Sequence, residues 1–214
     1  ENKKNIHLCQ RMILLDLLMC IAQSVVVVMR SGYLLKDNII YLATVVNLMC
    51  YCIIPYQFLA YVILNIEGQK RLEVVSRFLR VPIAFMMLVI FTNHITKVVF
   101  TLGAQGKMVY STGWYIMMWV AAFYACAITV VIVFRWNIIS VSLKLSAMIY
   151  VLLSLATFII KVFINQEIMI AGALIALSLI IMQLNLQNPQ MIHEAIAQEQ
   201  EEKVRIVWEN SSYI

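Results

Sequence analysis

The chain is short of charge. Asp, Glu, Lys and Arg make up only 13% of its 214 residues, about half of the quarter or so that a water-soluble surface requires. Glycine and proline are equally scarce, with 6 and 3 in the whole chain, which excludes collagen-like, low-complexity and loop-rich architectures. The cysteines, Cys9, Cys20, Cys50, Cys52 and Cys126, are odd in number. All but Cys9 lie inside apolar runs and read as small buried hydrophobes rather than a disulfide framework. The net charge of +5 is scattered between apolar segments, so nucleic acid is not an expected partner. No cleavable signal pattern precedes the first apolar run.

What the chain has in abundance is apolar surface: 63% of it is hydrophobic and the mean hydropathy is +0.88. A helix needs about 20 apolar residues to cross a bilayer core, and six runs qualify: 12–29, 39–66, 81–102, 114–134, 138–160 and 168–186. Six crossings place both termini on one side. Lys3, Lys4, Arg11, Lys70, Arg71, Arg77, Arg80, Arg135, Lys144, Lys203 and Arg205 fall on that side, against Arg30, Lys36, Lys97, Lys107 and Lys161 on the other. This asymmetry predicts cytoplasmic termini. The expected fold is therefore all-α: a polytopic bundle of six transmembrane helices over 12–186, after a cytoplasmic segment at 1–11. Beyond Asn188 and Pro189, a plausible helix cap and first turn, apolar residues thin out among Glu, Gln, Lys and Arg, and 187–214 reads as a cytoplasmic helix.

Several stretches carry a family resemblance. Leu14, Leu15, Asp16, Leu17 and Leu18 in the first run, NLMCYCIIPYQFLAYVI from Asn47, GKMVYSTGWY from Gly106 and LNLQNP from Leu184 together resemble the seven-transmembrane amino-terminal sensor region of bacterial sensor histidine kinases and diguanylate cyclases. The similarity covers roughly 8–190. It implies a multi-pass protein of the bacterial cytoplasmic membrane, one further span upstream, and a kinase or cyclase output domain downstream of a signalling helix that pairs with a second copy. The chain itself lacks the phosphoacceptor and cyclase motifs, and His193-Glu194 is followed by Ala-Ile-Ala. No enzymatic activity is expected within it: His7, His94 and His193 lie at different depths, and no nucleotide loop or catalytic carboxylate pair is present.

Ionisable and amide groups in hydrocarbon are costly, so each needs a structural or functional reason. Asp16, Tyr56, Gln57 and Gln183 share the inner half of the predicted bundle. They serve either as interhelical hydrogen-bond partners or as a coupling switch. The outer half carries Asn47, Asn93, His94, Lys97, Tyr110, Trp114, Tyr115, Thr157 and Lys161, which are expected to line a cavity for a small ligand bearing a carboxylate or carbonyl. Asn93 and Lys97 share a helix face in this reading, with His94 beside them, and Tyr110 and Trp114 cover the site. The competing reading has Lys97 and Lys161 snorkel to water and His94 bond a neighbouring helix. Neither the Met86-Met87 and Met117-Met118 pairs nor Cys50 and Cys52 form a chelating face, because i, i+1 and i, i+2 side chains diverge on a helix. No metal or cofactor is expected. The expected partners are the lipid bilayer, a small molecule and a second copy of the chain. A sensory receptor module fits these features best, with a transporter or channel and a purely structural membrane subunit as alternatives.

Overall fold

The computed structural model describes residues 2–31, 37–103, 108–137, 139–164 and 171–187. In chain order these form helix α1 (Asn2–Ser31), helix α2 (Asp37–Thr96), strands β1 (Phe100–Leu102) and β2 (Met108–Tyr110), helix α3 (Thr112–Phe134), helix α4 (Val141–Ile159) continued by a π-helical turn (Ile160–Ile164), and helix α5 (Ala171–Gln187). Among the described residues five helical segments are long and apolar enough to cross a membrane: His7–Met29, Asp37–Ile66, Phe78–Thr96, Thr112–Phe134 and Leu143–Ile164. The sixth expected span corresponds to a shorter apolar helix, Ala171–Leu184. The expected signalling helix falls in 188–214, outside the described residues, as does Gly106.

α2 takes up two spans. Along a straight helix Tyr56 and Arg80 would stand about 36 Å apart, and Tyr41 and Asn93 about 78 Å. Instead Arg80 Nε donates to Tyr56 Oη at 3.0 Å and Asn93 Nδ2 approaches Tyr41 Oη at 3.5 Å. The two arms, Asp37–Ile66 and Phe78–Thr96, therefore run antiparallel, with the reversal between them. The other elements close a ring: α1 packs on α2, α2 on α3, α3 on α4, α4 on α5, and α5 back on α1.

The inward stripe of α1 is Cys9, Met12, Asp16, Met19, Gln23 and Val26, spaced by three and four residues, whereas Leu14, Leu17, Leu18, Ile21 and Val28 are exposed. α3 turns Trp114, Met117, Met118, Tyr124, Ile128 and Ile132 inward and Trp119, Phe123, Val130 and Phe134 outward. Large apolar side chains thus face outward on α1 and α3 as well as inward, and the contacts between helices combine buried aromatic, Met and aliphatic residues with a few polar ones such as Gln23 and Asn47. This is the arrangement that suits lipid, where packing and hydrogen bonds rather than water exclusion hold helices together.

Between the second arm of α2 and α3 the chain makes an antiparallel hairpin with Phe100 opposite Tyr110, Thr101 opposite Val109 and Leu102 opposite Met108. The third span therefore ends at Thr96, not at 102 as its apolar composition predicts. Lys97 stops it: its φ of 53° is left-handed, and its N–H donates to the Asn93 carbonyl at 2.9 Å, a helix C-cap of the left-handed type. Lys97 is consequently not on a helical face with Asn93. The Ser111 N–H donates to the Val99 carbonyl and the Gly113 N–H to the Val98 carbonyl, each at 2.9 Å, seating the start of α3 on the strand entry. A Cβ at Gly113 would stand 2.8 Å from the Val98 carbonyl oxygen, a backbone atom that cannot step aside.

Gly113→Ala should therefore lower stability by about 1–3 kcal/mol, read as a reduced thermal midpoint in detergent. An unchanged midpoint would show that the hairpin and α3 can separate freely.

Candidate functional site

Asn93 is 1% exposed and its carboxamide is fully engaged. Oδ1 accepts from the Val99 N–H at 2.7 Å and the Phe100 N–H at 3.3 Å, and Nδ2 donates to the Phe100 carbonyl at 3.0 Å. An asparagine side chain offers two donors and one oxygen acceptor, and these contacts, with Tyr41, use them. Asn93 clasps the hairpin to the end of α2. His94, its neighbour in sequence, is exposed and sets its ring edge-on to Tyr41 with centroids 5.6 Å apart.

Of the remaining expected ligand-binding residues, Lys97 bonds the Asn93 carbonyl through its N–H and Tyr110 stands opposite Phe100 in the hairpin that Asn93 clasps, whereas Thr157 and Lys161 lie on α4 and the turn that continues it. Asn47 is half-buried between helices, its Oδ1 accepting from Gln23 Nε2 at 3.1 Å. Lys97 is exposed at the helix end. Trp114 is wholly buried, its ring tilted against Tyr110 and edge-on to Tyr115 with centroids 5.0 Å from each, so it is a core residue. Tyr110 Oη donates to Met108 Sδ at 3.4 Å, and Tyr115 is exposed. Thr157 and Lys161 lie on a different wall, the inward face of α4. Lys161 sits inside the π-helical turn and is 6% exposed.

Residues expected to link helices do so in part. Cys9 Sγ donates to Gln183 Oε1 at 3.0 Å, joining α1 to α5, and the Tyr56–Arg80 bond ties the two arms of α2. Asp16 Oδ1 and Gln57 Oε1 are buried without a hydrogen-bond partner among the described residues. The electrostatic neighbours of Asp16 are Cys20, Cys50 and Tyr150. All five cysteines are free.

A cavity lies elsewhere than the expected cluster. About 330 Å³ of partly open space lies among α2, α3, α4 and α5, with the exposed Cys126, Thr129 and Leu155 in its lining. Its wall on α3 is built of Ala121, Ala122 and Ala125, whose small side chains create the space, and α5 contributes Ile175. α4 lines it with Tyr150, Ser154, Thr157 and Phe158, α2 with Tyr51 and Pro55. Proline has no N–H, so Pro55 leaves the Tyr51 carbonyl without its helical donor at this wall. Tyr150 stacks flat on Phe58 at 3.9 Å and 6°. Its buried hydroxyl has Ser154 as polar neighbour and makes no hydrogen bond of ordinary geometry among the described residues. Thr157 Oγ1 donates back to the Leu153 carbonyl at 2.9 Å. The result is an apolar chamber with a few polar points, the make-up of a small-molecule site. Of the expected ligand-binding residues only Thr157 lines it. Three alanines within five residues of an apolar helix carry no motif by which sequence reading would single them out.

No protein-family model, curated protein or solved structure matches the chain, so the functional argument rests on these residues.

Asn93→Ala should strand the buried Val99 N–H and Phe100 carbonyl and cost about 1–3 kcal/mol for each group left unpaired. Thermal unfolding in detergent measures the loss. Equal stability of the variant would contradict the clasp.

Proposed function

We propose that this chain is the membrane-embedded sensing module of a receptor, in which a small molecule seated in the cavity between α2, α3, α4 and α5 changes how α5 packs. The observation that carries this reading is the cavity itself. Its walls come from four helices, among them α5 through Ile175, and α5 leads directly into the C-terminal segment. α5 is also the helix that closes the ring on α1. A Cβ at Gly172 would meet Cys20 Sγ and Gln23 Oε1 at 2.9 Å, so a shift of α5 must be felt at this close contact. Tyr150 joins the two regions, lining the cavity while lying within electrostatic reach of Asp16. A ligand that fits one packing better than another transmits a signal by shifting the population.

In this proposal α5 completes six crossings, supported by the excess of Lys and Arg on the side of the termini. Both ends of the chain are cytoplasmic, in a bacterial cytoplasmic membrane. The segment after Gln187 forms a signalling helix that pairs with a second copy and drives a kinase or cyclase output, as the family resemblance implies. A transporter would need polar groups at every depth. The cavity walls instead are mainly alanine, aromatic and aliphatic.

Ala125→Phe should fill the cavity and mimic occupancy. With Leu184→Cys as a reporter at the far end of α5, in a Cys126→Ser background, maleimide labelling should change by about fivefold or more when Ala125→Phe is added. Proteoliposomes should show no solute flux in either form. Unchanged labelling would remove the coupling, and flux abolished by Ala125→Phe would establish a transporter instead.

A further inference from the structure

Tyr150 brings an unspent hydrogen-bonding group to the cavity wall. It is 1% exposed, its ring is held flat on Phe58, and it lines the chamber, yet its hydroxyl makes no hydrogen bond of ordinary geometry among the described residues. Other hydroxyls of the lining are already used: Thr129 and Thr157 donate to the Ala125 and Leu153 carbonyls of their own helices, as hydrocarbon surroundings require. A buried hydroxyl left unpaired is costly. On the α2 wall Pro55 has no N–H to give the Tyr51 carbonyl, and both residues line the same space. The chamber therefore holds a donor at Tyr150 and an acceptor at Tyr51, and none of its lining residues is Asp, Glu, Lys, Arg or His.

The mouth of the chamber sets the route by which a ligand arrives. Its exposed residues are Cys126 and Thr129 on α3 and Leu155 on α4. Cys126 stands about 21 Å along the helix axis from Thr112 and about 12 Å from Phe134, and Leu155 about 18 Å from Leu143 and about 14 Å from Ile164, the ends of their two spans. A hydrocarbon core about 30 Å thick covers both positions. The opening faces acyl chains, not water, so a ligand must dissolve in the bilayer before it enters.

Resting on the receptor reading above, we propose that the chamber binds an uncharged medium-chain alcohol that enters sideways from the bilayer, its hydroxyl accepting from Tyr150 and donating to the Tyr51 carbonyl, its chain lying against Ala122, Ala125 and Phe158. A carbonyl would answer Tyr150 alone, whereas a hydroxyl answers both groups. A carboxylate would find no cation in the lining and would have to shed its hydration in hydrocarbon. The space of about 330 Å³ equals roughly eleven water-sized volumes of about 30 Å³ each, room for roughly as many non-hydrogen atoms. One medium-length chain fits, and the two chains of a membrane lipid do not.

The probe is a decanol carrying a mid-chain diazirine, photolysed with the full chain in phosphatidylcholine nanodiscs, the labelled peptides being identified by mass spectrometry. Saturable labelling of the chamber walls is expected, and 1-decanol should compete about fivefold or more better than decane at equal mole fraction in the bilayer. Decanoate should compete at least tenfold less well than decanol. Tyr150→Phe keeps the ring and should erase the advantage of decanol over decane, while Ala125→Phe should abolish the labelling and holds the proposal to account even where Tyr150→Phe fails to fold. Equal competition by decane and decanol would make the chamber a slot for lipid chains and overturn the proposal. Competition by decanoate equal to that of decanol, an advantage of decanol that survives Tyr150→Phe, or labelling retained in Ala125→Phe would each overturn it as well. Binding as expected that leaves Leu184→Cys labelling unmoved would keep this site and remove the receptor reading. Absence of saturable labelling would remove the alcohol site and leave that reading to its own maleimide test.

Discussion

Hydrocarbon supplies neither a hydrogen-bond partner for a polar group nor any reward for burying leucine against another helix, and the architecture of this chain follows from those two facts. Leucine, isoleucine, phenylalanine and valine are turned out on α1, α3 and α4, where lipid receives them at no cost. The contacts between helices contain the groups that lipid would reject. Gln23 finds Asn47, Cys9 finds Gln183 and Arg80 finds Tyr56. Each bond spans two helical segments, so each also fixes how far one rod is slid along the other. Bonds of this kind are individually modest in membranes, and their effect here lies in selecting one register.

The two ends of the bundle are built differently. At the hairpin end, Asn93, Lys97, Ser111 and Gly113 form a continuous set of backbone and side-chain bonds that joins the second arm of α2 to α3. Nothing comparable ties α4 or α5 to that set among the described residues. Their contacts are made through side chains around the cavity and through the tight passage of Gly172 over α1. A half of α2 and α3 joined through the backbone thus faces a half held by side-chain packing and the Cys9–Gln183 bond. The space between them is where movement is least expensive.

Much of the fold was legible in the sequence because length and hydropathy are one-dimensional. Apolar runs at 12–29, 39–66 and 114–134 correspond closely to helices, and the reversal within α2 follows from two runs divided by a charged stretch. Boundaries failed where apolar residues leave the helix. Val98, Val99 and Phe100 are as hydrophobic as any span, yet Lys97 turns the chain into a strand, and hydropathy does not register a left-handed residue. The site was harder. In a membrane helix both faces are apolar, so periodicity does not reveal which face is inward, and Trp114 at the head of a span, expected to cover a site, is fully buried. Asn93 is buried, but an amide that clasps its own chain and one that awaits a ligand read identically in sequence. The chamber arises from the small volume of Ala121, Ala122 and Ala125, and a void leaves no letter in a sequence.

The close passage of Gly172 over α1 bears on biogenesis. α1 meets α5, its neighbour in the ring, only after α2, α3 and α4 have been made. Until then Gln23, over which Gly172 passes closely, is held by Asn47 of the first arm of α2. The glycine works as a keystone: this arch closes when α5 is dropped into its slot.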